Sequence, residues 1–137
     1  MIRLFLLIAA ISGALAVILG AFAAHGLKSL PVQYLNAFET GVRYQMYHSL
    51  VLLLLGLLMT PASLAVDQNI TLSVYAKISG FAFIAGIVLF SGSLYGLSLS
   101  QGKLNFLGPI TPLGGLSLII GWLFLAVTVW TRQLSSH

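Results

Sequence analysis

The chain alternates between long apolar runs and short segments that carry its charged residues. The four longest intervals without a charged side chain are residues 4–27, 44–66, 78–102 and 104–131. A helix that crosses a bilayer needs about 20 apolar residues, and in hydrocarbon its backbone polar groups must be paired internally. The pattern therefore predicts an all-α membrane protein of one domain, an antiparallel four-transmembrane-helix bundle. The predicted spans are 4–24, 42–60, 77–98 and 112–131.

The first apolar run has an alternative interpretation as a cleaved signal peptide. Arg3 precedes it, and the small residues Ser12, Gly13 and Ala14 lie within it. The apolar part of a signal peptide is only about 7–15 residues long, whereas this run continues to Ala24. We therefore expect a helix that is retained.

The second helix is predicted to be longer than its span. Pro31 suits the first turn of a helix and Pro61 ends one, so the helix is expected from Pro31 to Thr60. Its length of about 45 Å exceeds the hydrocarbon thickness, so its first turns are expected at the interface or against other parts of the protein. The remaining connecting segments are expected at Pro61–Tyr75 and Ser98–Thr111, with a frayed polar tail over Thr131–His137.

Small residues recur at three- and four-residue spacing on three of the predicted helices. Such residues let helix backbones approach closely in lipid, where no hydrophobic force draws apolar helices together. Glycine is also common in transmembrane helices in general, which is the alternative interpretation. The positions predicted to form helix contacts are Gly13, Ala16, Gly20, Ala82, Gly86, Gly114 and Gly121.

The composition supports a lipid environment. Hydrophobic residues make up 59% of the chain and charged residues 6%, whereas soluble proteins are about a quarter charged. The 6 lysine and arginine residues are scattered, so they are interpreted as anchors at the membrane edges and nucleic-acid binding is not expected. The sequence contains no cysteine, which excludes disulfides and thiolate metal ligands. The expected partner is the lipid bilayer.

The main polar feature is one face of the second helix between Glu39 and His48. At about 100° per residue, its polar side chains cover half of the helix circumference. Glu39 and Arg43 lie four residues apart with the acid first, which favours an ion pair, and Tyr44 and His48 repeat this spacing. Beyond His48 the same arc is filled by valine and leucine, so the polar face exists in only one half of the membrane.

An antiparallel arrangement brings the polar residues of all four helices to one end of the bundle. The end of the first helix, the start of the second, the end of the third and the start of the fourth then share a side, and the opposite end is expected to be apolar. The predicted polar pocket consists of His25, Glu39, Arg43, Tyr44, Tyr47, His48, Ser91, Ser93, Tyr95 and Thr111.

Four segments in order along the chain carry a family resemblance. They are Gly20–Leu27, Glu39–His48, Phe90–Tyr95, and Gly108–Gly115 with Gly121-Trp122. Together they resemble the YgdD/YwdK-like family, small uncharacterised multi-pass proteins of bacterial plasma membranes with similar animal transmembrane proteins. Ala23 departs from the pattern, because the family is expected to carry glycine there. The resemblance implies a location in the plasma (inner) membrane and four spans, and it implies no reaction.

The charged and titratable groups each have a structural and a functional interpretation. Glu39 and Arg43 form an ion pair that anchors the second helix, or they bind a charged solute. His48 is a neutral histidine bonded to Tyr44 or to a serine of the third helix, or it relays protons, because imidazole titrates near neutral pH. The structural interpretation is favoured in both cases.

No catalytic or metal-binding pattern is recognisable in the sequence. His25, His48 and Glu39 lack the spacing of known metal ligands, and Ser91 and Ser93 lack an identifiable base. Trp122 is interpreted as a packing or interface residue, as is Trp130. We therefore expect no enzyme activity, no metal and no cofactor.

Two hypotheses for the function remain. The first is a structural or accessory membrane protein, a homo-oligomer or a subunit of a membrane complex, whose polar end binds a partner or a lipid headgroup. The alternative is a small carrier or channel for a polar solute or protons that uses His25, Glu39, Arg43 and His48. A polar lining in one half of the membrane argues against an open pore in a monomer, since a pore needs polar groups throughout.

The membrane orientation is not decided by the positive-inside rule. Three basic residues are predicted at each end, Arg3, Lys77 and Arg132 at one and Lys28, Arg43 and Lys103 at the other. We expect the polar end to face the cytoplasm, because two of its basic residues lie out in loops.

Overall fold

The computed structural model describes residues 1–60 and 70–134, with the side chains of residues 1–60 and 74–131. These ranges are predominantly helical and contain no strand, which confirms the predicted all-α class. The helical segments are α1 (Ile2–Gly26), α2 (Val32–Leu58), α3 (Ile70–Gly86), a π-helical turn (Ile87–Ser91), α4 (Gly92–Leu99), a 3-10 turn (Asn105–Leu107) and α5 (Ile110–Leu134). Because α3, the π-helical turn and α4 are continuous, they are together called the third helix, and the described residues form four long helices.

Three of the helices are long and apolar enough to cross a membrane. In the described part of the chain these are Ile2–Gly26, Val74–Leu99 and Asn105–Thr131. Helix α2 is not among them, because polar side chains occupy much of its first half, from Asn36 to His48. A membrane crossing by α2 therefore stays a prediction.

The start of α2 follows the proline signal in the sequence. Pro31 is the N-cap residue, and the helix covers Val32–Leu58 with Met59 as its C-cap. The predicted loop Pro61–Tyr75 was wrong at its far end, because α3 begins at Ile70. The residues from Ile70 to Tyr75 include neither glycine nor proline, so nothing in them opposes a helix. Residues 61–69 lie outside the described part of the chain.

The last two helices are joined by a short connection. A turn with positive φ at Gln101 (50°) and Gly102 (79°) follows α4, and α5 already begins at Ile110. The observed connection, residues 100–109, is therefore shorter than the predicted loop Ser98–Thr111. Helix α5 continues to its last described residue, Leu134, while residues 135–137 of the predicted frayed tail lie outside the described part of the chain.

The helices pack in two close pairs that share a common core. Helix α1 packs along α2, and the third helix packs along α5, while α2 also contacts the third helix. One buried cluster joins Phe5 of α1 to Leu52 of α2 and Phe83 of the third helix. A second buried cluster joins Ala23 of α1 to Phe38 of α2. Helix α1 thus contacts α2 near both of its ends.

Hydrogen bonds between helices fix the pair formed by the third helix and α5. The Ser79 hydroxyl donates to the Gly121 carbonyl oxygen at 2.8 Å, and the Ser117 hydroxyl donates to the Ala82 carbonyl oxygen at 2.8 Å. Such bonds between helices stabilise a membrane protein by about 1 kcal/mol each. The two bonds run in opposite directions between the helices and set their relative position.

Two glycines allow a backbone to approach where a side chain has no room. A Cβ atom at Gly114 of α5 would lie 2.7 Å from Phe90 Cα and 2.8 Å from Leu89 C, both in the π-helical turn. A Cβ atom at Gly41 would lie 2.8 Å from the Tyr95 ring. Backbone cannot move aside as a flexible side chain can, so Gly114 is the stricter requirement.

The other glycines predicted to form helix contacts are packed to different degrees. A Cβ atom at Gly121 would lie 2.7 Å from the Phe83 ring, and Gly86 faces Leu118. At Gly20 and Gly13 the nearest atoms would be at 3.4 and 3.9 Å. The α1 glycines therefore leave more room than those of the third helix and α5. The two predicted alanines differ as well, because Ala16 is buried and Ala82 is half-buried.

Candidate functional site

His48 is buried between α2 and α5 with both ring nitrogens occupied. Its Nδ1 lies 2.7 Å from the Tyr44 backbone carbonyl oxygen, and its Nε2 lies 3.2 Å from the indole Nε1 of Trp122. A carbonyl only accepts and an indole N–H only donates, so this geometry selects a neutral imidazole with its proton on Nδ1. The Tyr44 ring stacks on the imidazole at a centroid distance of 5.9 Å. Trp122, predicted only to pack or to mark the interface, is therefore also a hydrogen-bond partner.

Gln45 lies at the centre of a second buried polar cluster, which the sequence analysis missed. Its side chain is 5% exposed. Its amide Nε2 donates to the Ser12 carbonyl oxygen at 2.9 Å, and its amide oxygen accepts from the Tyr95 hydroxyl at 2.7 Å. The Ser49 hydroxyl lies 2.8 Å from Ser12 Oγ and 2.7 Å from the backbone carbonyl oxygen of Gln45. This cluster links α1, α2 and the third helix.

The predicted serines of the third helix bond to two different neighbours. The Ser91 hydroxyl, in the π-helical turn, donates to the Gly41 carbonyl oxygen at 2.7 Å. The Ser93 hydroxyl lies 2.7 Å from the Thr111 hydroxyl at the start of α5. Both serines are buried, and their bonds join the start of α2, the end of the third helix and the start of α5.

Three of the predicted pocket residues lie on the outside of α2. Tyr44 is 42% exposed, Tyr47 is 55% exposed, and Arg43 is exposed beside them. We call this surface, formed by Arg43, Tyr44 and Tyr47, the outer face. It continues along α2 through the exposed residues Leu50 and Leu54.

The predicted ion pair between Glu39 and Arg43 is not formed. Arg43 Nε donates instead to the Glu39 backbone carbonyl oxygen at 3.3 Å, and the two side chains make no ion pair in the described part of the chain. The four-residue helix spacing allows Arg43 either contact, and a pair of charges that is not buried gains little free energy from pairing.

The structure thus divides the predicted pocket into an interior and an exterior group. His48, Ser91, Ser93, Tyr95 and Thr111 take part in hydrogen bonds between helices. The remaining members are the outer face, the half-buried Glu39 and the exposed His25 at the end of α1. Among the described residues no hydrogen bond or ring contact joins His25 to Glu39 or His48. A group of three histidine, aspartate or glutamate side chains able to hold a metal ion is also absent from those residues.

A signal for the missed cluster is present in the sequence, in the spacing of small residues on α2. The small residues Gly41 and Ser49 lie four residues before and four residues after Gln45, on one side of α2. All three are buried. A row of small residues allows close helix contact in lipid, so it marks the buried side of α2 better than the polar arc does.

Comparison with known proteins relates the chain to uncharacterised membrane proteins. A family model described as "Protein of unknown function (DUF423)" matches residues 19–115. The chain is 44% identical over 126 residues to "UPF0382 membrane protein YwdK" of Bacillus subtilis, covering 91% of this chain and 94% of that protein. No solved structure matches the chain.

Similar proteins occur in other bacteria as well. The chain is 40% identical over 129 residues to "UPF0382 membrane protein SAB0533" of Staphylococcus aureus, covering 93% of this chain and 96% of that protein. It is also 40% identical over 123 residues to a "UPF0382 membrane protein" of Haemophilus influenzae, covering 89% and 90% of the two chains. These names state a membrane location and no activity.

Proposed function

Because this chain belongs to the DUF423 family of unknown function, as its resemblance to YgdD/YwdK-like proteins predicted, we propose that it is an accessory protein of the plasma membrane. In this proposal its four helices form an antiparallel four-transmembrane-helix bundle. The bundle binds another membrane protein, or a second copy of itself, through the outer face. We propose no catalytic reaction, no metal and no cofactor for it.

The contacts of α1 support the antiparallel bundle. Helix α1 is long and apolar enough to cross a membrane. Phe5 near its start packs in one cluster with Leu52 near the end of α2, and Ala23 near its end packs with Phe38 near the start of α2. Two helices that contact each other in this order run in opposite directions over most of their length. An α2 that lies beside a spanning helix in this way is expected to cross the same layer.

The outer face is the observation that carries the proposed partner binding. Arg43 and Tyr47 are exposed, and Tyr44 is 42% exposed although its ring also packs on Phe90 and His48. A membrane protein normally turns a charged side chain inward or towards a partner. Tyrosine and arginine are also the residue types that contribute most to protein interfaces. A partner helix that packs on this face would supply acceptors for the guanidinium group and the two phenol groups.

Site-specific photo-crosslinking in native membranes tests this proposal. A photoreactive phenylalanine analogue is placed at Tyr47, and in a matched control at Ile18, which is 62% exposed on α1. We expect one defined protein adduct from position 47 and only lipid adducts from position 18. Native mass analysis of the adduct in mild detergent then tells a second copy of this chain from a different protein. Lipid adducts alone from both positions would contradict the proposal.

The alternative function, a small carrier or channel, has less support. His48 would have to give up its bonds to Tyr44 and Trp122 to relay protons. A single cysteine at the exposed position His25, which lies outside the outer face, provides a test, because an accessory protein keeps it accessible from one fixed side. If the side of the membrane from which the cysteine is labelled changes with pH or with an added solute, the accessory proposal is contradicted and the carrier function is favoured.

A further inference from the structure

A groove on the side of the protein lies between α1 and the third helix. Its cavity volume is about 360 Å³, which falls within the range of roughly 300–1,000 Å³ for small-molecule sites. Its walls are apolar, with Ile8, Ile11 and Leu15 on α1 and Ile84 and Val88 on the third helix. Ile11, Leu15 and Val88 are strongly exposed. The groove therefore opens sideways, towards the hydrocarbon of the bilayer rather than towards water.

The polar cluster around Gln45 forms the floor of this groove, because Gln45, Ser12 and Tyr95 also line it. A glutamine amide has two N–H groups. One of them donates to Ser12, while the amide oxygen accepts from Tyr95. The second N–H of this 5% exposed side chain has no partner in the described part of the chain. The floor thus offers one unused hydrogen-bond donor and no charge.

We propose that the groove binds a lipid-soluble carbonyl compound of the quinone type, whose carbonyl oxygen accepts the free N–H of Gln45. The donor requires an acceptor, the absence of charged side chains from the lining requires a neutral one, and the apolar walls suit an alkyl tail. This site is separate from the outer face, and it needs only that α1 and the third helix lie in the membrane.

The depth of the floor distinguishes such a compound from an ordinary phospholipid. Ser12 lies near the middle of α1, which covers Ile2–Gly26. At 1.5 Å per residue it is roughly 15 Å from the start of the helix, close to the centre of the hydrocarbon layer. Phospholipid ester groups remain at the polar edges of the bilayer. The groove therefore selects a molecule that carries its carbonyl group into the apolar layer.

The test uses the purified full chain in lipid nanodiscs and two probes that differ only in the polar group. Decyl-benzoquinone carries the carbonyl oxygens, and decylbenzene has the same tail without them. The side-chain amide signal of Gln45 is followed by ¹⁵N NMR and is assigned by its loss in Gln45→Leu. We expect the quinone to shift this signal at saturation. Decylbenzene should bind about tenfold more weakly, the ratio that one buried hydrogen bond supplies.

A substitution on the groove wall keeps the test valid if Gln45→Leu does not fold. Ile11→Trp fills the groove, whereas Ile18→Trp places the same ring two turns further along α1, outside the groove. The two positions are 60% and 62% exposed, so both substitutions are expected to fold. We expect quinone binding to be lost in the first variant and kept in the second. Equal binding of both probes, or of quinone to both variants, would overturn the proposal.

Discussion

Gln45 and His48 connect α2 to each of the other three helices. Gln45 bonds to Ser12 of α1 and to Tyr95 of the third helix, while His48 accepts from Trp122 of α5. Leaving a buried polar group unpaired costs about 1–3 kcal/mol, more than a formed bond contributes on balance. At the residue scale, the removal of one partner is therefore the informative change.

Tyr95→Phe is expected to destabilise the protein by about 1 kcal/mol, because it leaves the Gln45 amide oxygen without its donor. The phenylalanine ring keeps the contact of position 95 with Phe38, whose ring centroid is 4.7 Å away. The free energy of unfolding in detergent provides the measurement. Tyr47→Phe is the matched control, because it removes the same hydroxyl from an exposed position. Equal changes in the free energy of unfolding for the two substitutions would show that the hydrogen bond from Tyr95 to Gln45 makes no specific contribution to stability.

Trp122→Phe is expected to free Nε2 of His48 while an aromatic ring remains at position 122. Imidazole ¹⁵N spectra measure the result. In the unchanged protein the proton is expected on Nδ1, and in the variant the imidazole is expected to populate both neutral tautomers. Trp130→Phe, at an exposed tryptophan of the same helix, is expected to leave the spectrum unchanged. A mixture of tautomers already present in the unchanged protein would contradict the assignment.

The interior role of His48 could be predicted from the sequence, whereas that of Gln45 could not. The charged and aromatic arc from Glu39 to His48 predicts the inward side of α2, because polar groups normally turn inward in lipid. The structure buries the side with Gly41, Gln45 and Ser49 instead, because the small residues Gly41 and Ser49 permit the close approach of the third helix and α1. Arg43, Tyr44 and Tyr47 consequently lie on the outside.

At the scale of helices, the contact of α5 with the π-helical turn is the tightest constraint we find among the described glycines. A Cβ at Gly114 would lie 2.7 Å from Phe90 Cα. Gly114→Ala is therefore expected to destabilise the protein by about 1–3 kcal/mol, in the range of overpacked cores. The measurement is the free energy of unfolding.

The neighbouring glycine provides a matched control for this substitution. A Cβ at Gly115 would lie 3.7 Å from the Phe90 ring, an ordinary contact distance. Gly115→Ala is expected to be neutral or stabilising by up to about 1 kcal/mol, because alanine favours the helix. Similar losses of stability for both substitutions would contradict the packing argument.

The existence of the four helices could be predicted, because apolar runs bounded by charges leave few alternatives in lipid. The π-helical turn could not be predicted from the sequence, because an unbroken α-helix accounts equally well for the residues around Ile87–Ser91. The π-helical turn is in close contact with α5 at Gly114, and its Ser91 hydroxyl donates to the Gly41 carbonyl oxygen. These are tertiary contacts that local sequence patterns do not contain.

At the scale of the whole molecule, the number of membrane crossings fixes the sides on which the chain begins and ends. With four crossings, reporters fused to Met1 and His137 are expected to report the same side of the membrane. If the polar end faces the cytoplasm, as we expect, that side is the outside. Paired alkaline phosphatase and fluorescent protein fusions measure this. Opposite sides would mean that α2 does not cross, and two cytoplasmic fusions would reverse the orientation.

The π-helical turn also has a consequence for changes in chain length. A π-helical turn holds one residue more than an α-helical turn, so the loss of one residue between Ile87 and Ser91 can close it without rotating the flanking segments. Deletion of the exposed Val88 is therefore expected to lower the melting temperature less than deletion of the exposed Phe81. Deletion of Phe81 rotates every residue between position 81 and the π-helical turn by about 100° about the helix axis. Within the third helix, we therefore expect related proteins to tolerate a one-residue deletion at the π-helical turn without loss of the fold.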